Sequence, residues 1–167
     1  MQRILVLGCC GAGKSTFARA LHERIGIPII HLDREYWNPG WIETEKSAWE
    51  QKVATLTEQP RWIMDGNYGG SLPMRIPRAD TIIYLDQSTT TCLWRITKRT
   101  LKYWRAERPD MVSGCKERFD LEFFHYVAVF NLTRRKNILQ LIRSVQDQKT
   151  VHIFKTDDQA LTFLNSL

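Results

Sequence analysis

Apolar positions along the chain follow two alternating rhythms. Short apolar runs at residues 3–7, 27–32, 61–64, 81–85 and 150–154 are bounded by glycine, proline or polar clusters, the pattern of buried strands. Between them, apolar residues recur at three- and four-residue spacing, which predicts helices. From Lys14 to Ile25, Phe17, Ala18, Leu21 and Ile25 share one face, and Gly26 then Pro28 stop the helix. Trp49, Val53 and Leu56 mark a helix from about Thr44 to Glu58, and Ser88 caps another through about Tyr103 with Leu93, Ile96 and Leu101 inward. Helical patterning returns from Glu117 to about Gln146 with a break near Asn131, and Ala160, Leu161 and Leu164 line a closing helix. Residues 36–41 and the glycine- and proline-bearing stretch 69–77 read as loops, and 104–116 as an exposed excursion. Strands alternating with helices predict an α/β fold with a parallel sheet covered on both faces, in a single domain over residues 1–167.

The first strand runs into Gly8-Cys9-Cys10-Gly11-Ala12-Gly13-Lys14-Ser15-Thr16, which reads G-x-x-x-x-G-K-S between a strand and a helix. The spacing has a chemical reason. Backbone N–H groups from Gly8 through Thr16 must converge on phosphate oxygens, and Gly8, Gly11 and Gly13 let the chain approach without a side chain in the way. Lys14 adds a mobile positive charge, Ser15 a hydroxyl for Mg²⁺, and the following helix its positive end. The loop predicts that a nucleoside triphosphate is bound.

Ligands of such sheets bind beyond the carboxyl ends of the strands, so Asp33, Asp65 and Asp86 all belong to the phosphate edge. Asp65 follows Trp62-Ile63-Met64 as a Mg²⁺-holding aspartate must, beside Ser15. Asp86 precedes Gln87-Ser88 and reads as part of a helix start. Asp33 is placed to meet an acceptor, either taking a proton from its hydroxyl or orienting it, and His31 reads as a packed strand-end residue. Arg95 and Arg99, four apart on one helix face, suit the oxygens of a transferred phosphoryl group. Arg105, Arg108 and Arg118 are candidates to add more from a lid. Tyr36, Trp37 and Trp41 cluster beside Asp33, where they would stack a base or wall off an acceptor pocket.

The net charge is +6, and its excess lies largely between Arg95 and Arg118, with a second cluster at Arg134-Arg135-Lys136. Such an excess suits polyphosphates, nucleic acid or a solvated face, but no helix-turn-helix, zinc or single-strand-binding pattern accompanies it. Cys9, Cys10, Cys92 and Cys115 show no C-x-x-C pair and read as free thiols, with a redox role for the loop pair the alternative. No apolar run approaches a membrane span and the first residues are too short for a signal-peptide core, so a cytoplasmic protein is expected. Lys155-Thr156-Asp157 has the K-x-D of a guanine-reading motif but lacks the residue before it.

Together, the phosphate loop, His31-Leu32-Asp33 (H-L-D), residues 62–68 (W-I-x-D-G-N-Y), residues 83–86 (I-x-L-D), Arg95 and Arg99 (R-x-x-x-R) and residues 108–118 (R-P-D-x-x-x-G-C-x-E-R) resemble the adenylate-kinase-related P-loop proteins known as topology modulation proteins. The resemblance runs from the loop to about Leu121. It implies a three-layer, nucleoside-monophosphate-kinase-like fold with a five-stranded sheet ordered 2-3-1-4-5, an acceptor-side subregion at about residues 34–60 and a lid at about 104–118. Carried over from adenylate kinases, Lys14 is the loop lysine, Asp65 the aspartate of the D-G after the third strand, Arg95 the arginine that meets adenine and Arg99 the one that meets phosphate. Asn67-Tyr68 stands where those kinases have an aromatic-Pro-Arg sequence, a departure that weighs against AMP as the acceptor. His-Leu-Asp is closer to kinases of small hydroxylated metabolites, in which an aspartate touches the acceptor hydroxyl. The implied activity is an ATP- and Mg²⁺-dependent phosphotransferase acting on a small-molecule acceptor: a nucleoside, a nucleotide or another hydroxylated metabolite. The alternative is an ATP-switched nucleic-acid-binding regulator of DNA topology or expression.

Overall fold

The computed structural model describes residues 1–108 and 111–167; Pro109 and Asp110, within the expected lid, lie outside the described residues. The sheet is built from β1 (Arg3–Gly8), β2 (Ile29–His31), β5 (Trp62–Asp65), β6 (Thr81–Leu85) and β7 (Thr150–Phe154) in the order β2-β5-β1-β6-β7. All four pairings are parallel. Counting these five strands along the chain, the order is the expected 2-3-1-4-5. Ile4, Leu5, Val6 and Leu7 point alternately to both faces and are all fully buried, so the sheet is covered on both sides.

Helix α1 (Lys14–Ile25) packs on β1, β2 and β5, and beside it lies α8 (Asp157–Asn165). Phe17, Phe154 and Phe163 join α1, β7 and α8 through ring contacts of 5.4–6.4 Å. After β2 come the short α2 (Leu32–Tyr36), a hairpin of β3 (Trp37–Asn38) and β4 (Ile42–Glu43), and α3 (Lys46–Glu58). The expected loop at 36–41 is therefore largely a hairpin.

Further expectations are corrected. Residues 69–77 are not a loop: a turn of 3₁₀ helix at Gly69–Ser71 leads into α4 (Leu72–Arg78), with Pro73 in its first turn, where a backbone N–H has no helical acceptor anyway. Helix α5 (Thr89–Lys102) buries Cys92, Ile96 and Thr100; Ile96 points inward as expected and Leu93 packs half-buried on the core, but Leu101 is exposed. The excursion after it buries Arg108, Met111, Cys115 and Glu117, and Leu161 on the closing helix faces outward. The long helical segment is two helices, α6 (Leu121–Thr133), capped by Asp120, and α7 (Arg135–Arg143), broken at Arg134 rather than Asn131. Among the described residues no helix is long and apolar enough to cross a membrane.

Candidate active site

The carboxyl ends of β1, β2 and β5 open into a cleft of about 1480 Å³. Its floor is the phosphate loop. Gly11, Gly13, Lys14, Ser15 and Thr16 line it, while Gly8 and Ala12 do not. Gly11 has φ +82°, and a Cβ there would lie 2.5 Å from the carbonyl oxygen of Cys92 on α5, so only glycine fits. The Lys14 ammonium donates to the Cys9 carbonyl at 3.1 Å. Burial pulls its pKa down, but Cys10, Asp65 and Asp33 nearby outweigh that and hold it above the ordinary lysine value. The loop thiols are not activated: contact with Cys92 and burial raise Cys9, and burial raises Cys10. All four cysteines are free.

Asp65 ends β5 inside the cleft, with its side chain 5% exposed. Its Oδ2 accepts from His31 Nδ1 at 2.9 Å, whereas Oδ1 is buried with no hydrogen-bond partner among the described residues. A buried carboxylate oxygen without a partner, on a residue lining the same cleft as the loop serine, fits a carboxylate that would hold a hydrated Mg²⁺. No group of three or more histidine, cysteine, aspartate or glutamate side chains placed to hold a metal ion occurs among the described residues. Asp86 takes no part. Both its oxygens accept from Arg135, each at 2.7 Å.

Asp33, on α2, lines the same cleft. Tyr68 donates its hydroxyl to Asp33 Oδ1 at 2.7 Å. Burial and the Asp33 charge push the Tyr68 phenol far above its ordinary pKa, so it remains a donor. Tyr68 sits at φ +36°, a left-handed conformation that a tyrosine rarely adopts. Its ring meets those of Tyr36 and Trp49 at 4.9 and 5.0 Å, and Tyr36 lines the cleft. Trp37 and Trp41 do not. They pack edge to face at 5.4 Å, and Trp41 donates to the Lys116 carbonyl at 2.9 Å, fastening the β3–β4 hairpin to the excursion.

The arginines divide in the same way. Arg95 and Arg99 both line the cleft. Arg95 is paired with Asp157 at the start of α8, and its guanidinium lies 3.4 Å from the Ala12 carbonyl. Arg99 reaches Glu117 at 3.3 Å and stands over the Phe123 ring at 5.6 Å. Glu117 is 4% exposed; it also accepts from Thr100 Oγ1 at 3.0 Å and pairs with Arg108 at 2.7 Å. Arg108 therefore lines the cleft from a buried position. Arg105 and Arg118 are exposed and outside it, and Arg118 lies 3.9 Å from Asp120.

Sequence reasoning missed the side chains that hold these groups. Asn67 clasps the first loop residue twice, accepting from Gly8 N at 3.0 Å and donating to Gly8 O at 2.7 Å. Arg75 is fully buried, with its guanidinium directed at the carbonyls of Gly66, Asn67 and Tyr68 and at Ser71 Oγ. Burial lowers its pKa to about 9. Asn67 and Tyr68 were visible as a departure after Asp-Gly; nothing in the local sequence marks His31, Arg75 or Glu117 as their supports.

A family model described as an AAA domain matches residues 4–110, and the chain belongs to that family. No curated protein matches the chain. Among solved structures, shikimate kinase from Acinetobacter baumannii in complex with shikimate is similar at 17% identity, with a TM-score of 0.60 over 99% of this chain and 90% of that one. A sugar kinase from Janibacter sp. HTCC2649 is similar at 13% identity and a TM-score of 0.54, over 99% and 93% of the two chains. Deoxyadenosine kinase from M. mycoides with bound dCTP is similar at 16% identity and a TM-score of 0.52, over 98% and 97%. At these identities the likeness establishes a shared P-loop kinase fold.

Proposed function

We propose that this AAA-domain family member is an ATP- and Mg²⁺-dependent phosphotransferase that moves the γ-phosphoryl group of ATP to a hydroxyl of a small acceptor: a nucleoside, a nucleotide or another hydroxylated metabolite. The observation that carries this reading is that one cleft is lined by the phosphate loop, by Asp65 and by a second carboxylate, Asp33, whose Oδ1 is held by Tyr68. Nucleotide binding alone does not call for that second carboxylate. The motif likeness to the topology modulation proteins supports the same reading.

In this reading the loop amides and Lys14 bind the phosphates, and Ser15 and Asp65 hold Mg²⁺. The bound ion supplies positive charge against the polyphosphate as transfer proceeds. Arg95, fixed by Asp157, meets the adenine, and Arg99 neutralises the transferred group. Arg108 faces the cleft from the lid at about residues 104–118. The subregion at about residues 34–60 holds the acceptor, with Tyr36 as part of its wall. Asp33 accepts the hydrogen bond of the acceptor hydroxyl through the oxygen Tyr68 leaves free, and either orients the hydroxyl or takes its proton.

The test is a screen of nucleosides, nucleoside monophosphates and hydroxylated metabolites for ATP consumption above the no-acceptor background. At least one acceptor is expected to raise it. With that acceptor, Asp33→Asn is expected to lower kcat by about 10²-fold or more while leaving ATP binding in place. ATP-responsive DNA binding at low salt with no active acceptor would instead favour the regulator.

A further inference from the structure

His31 reads from sequence as a packed strand-end histidine, but its geometry gives it work in the site. It ends β2 and stands in register with Asp65, which ends the neighbouring β5. Its Nδ1 lies 2.9 Å from Asp65 Oδ2, and the two side chains are 12% and 5% exposed. An ionised carboxylate only accepts, so Nδ1 carries the proton and donates. That contact uses one oxygen of Asp65 and leaves Oδ1 buried, with no hydrogen-bond partner among the described residues.

A carboxylate without such a tether would rotate and share its two oxygens among several orientations. A lysine or arginine in place of His31 would fix it too, but would add a full positive charge beside the oxygen meant for a cation. The imidazole supplies one N–H from a short, rigid ring, which fixes the orientation of the carboxylate. We infer that His31 is a positioning residue that holds Asp65 Oδ2 so that Oδ1 remains committed to a divalent cation, and that it thereby sets the metal affinity of the nucleotide site. The inference rests on the phosphotransferase reading only in taking Asp65 as the metal-side carboxylate.

The test uses the full chain with Mn²⁺ as the probe, its free concentration read by electron paramagnetic resonance during titration in the presence of ADP. ADP binding in EDTA is measured alongside. His31→Ala and His31→Leu remove the donor, whereas His31→Asn keeps an N–H near the same place. Removing the donor is expected to weaken Mn²⁺ binding about tenfold with metal-free ADP affinity unchanged, the scale seen when a ligand's hydrogen-bond partner is lost. His31→Asn is expected to recover most of that loss. Wild-type Mn²⁺ affinity in a folded His31→Ala or His31→Leu variant would overturn the inference, as would equal losses of Mn²⁺ and metal-free ADP binding. If either donor-free variant does not fold, the other and His31→Asn decide, and an Asn variant as weak as a donor-free one counts against. A wild-type chain that binds ADP but no Mn²⁺ beside it would overturn both this inference and the phosphotransferase reading. Metal binding that ignores residue 31 would overturn this inference alone.

Discussion

Asp33 follows β2 and Asp65 ends the adjacent β5, and each is held by a donor from the other strand or the turn after it: Tyr68 for Asp33 and His31 for Asp65. This reciprocal bracing occupies one oxygen of each carboxylate, and Oδ1 of Asp65 has no hydrogen-bond partner among the described residues. Tyr68→Phe would free Asp33 at the cost of a half-buried hydrogen bond to a carboxylate. It is expected to lower stability by about 1–2 kcal/mol in denaturant unfolding and to reduce acceptor-dependent turnover. Arg75 has a different task, since its guanidinium supplies the donors for a turn whose carbonyls have turned inward. Arg75→Met leaves those carbonyls without partners and is expected to cost about 3 kcal/mol, read as a lowered Tm. The two aspartates were legible in the sequence because each follows a strand-like apolar run. Their tethers were not, since the partners lie 35 and 34 residues away and only the parallel register brings them together.

At the scale of elements, the phosphate loop, α5 and the excursion form one continuous assembly. Gly11 lies against the α5 backbone at Cys92, and Glu117 ties the excursion to α5 through Arg99 and Thr100. Gly11→Ala must move either the loop or α5, because the obstacle is main chain, and the φ of +82° adds strain. Loss of nucleotide binding and a lower Tm are expected from calorimetry. Glu117→Gln keeps the volume but removes the charge shared by two arginines, so the excursion should loosen and amide exchange over residues 111–118 should speed up about tenfold. Strands and long helices were legible here because their periodicity is strong. Residues 72–78 were not, because Pro73 and Pro77 read as breakers where a short helix accommodates both. The excursion misled for another reason: its charge pattern reads as solvated, yet Arg108 and Glu117 are buried against each other, which no local pattern encodes.

For the molecule as a whole, the sheet order brings the N-terminal strand to the centre, and Asp80 anchors its start. Its Oδ2 accepts from the backbone N–H groups of Gln2 and Arg3 at 2.9 and 2.8 Å. Burial pushes the Asp80 carboxyl up, but these bonds and one from Thr81 outweigh it and hold its pKa below the ordinary value. A carboxylate depressed in the folded state contributes stability above its unfolded pKa of about 3.9 and loses it as pH falls through the folded value. Asp80→Asn should therefore be less stable than the wild type at pH 7, with the gap narrowing as pH falls below about 4 in thermal unfolding. The contact of Gly11 with α5 has a further consequence at this scale. With a stiff helix between the nucleotide and the exposed chain around Arg105 and Lys116, trypsin becomes a reporter of the phosphate loop. Adding ADP and Mg²⁺ should lengthen the lifetime of the intact chain under digestion, without the ligand touching either cleavage point.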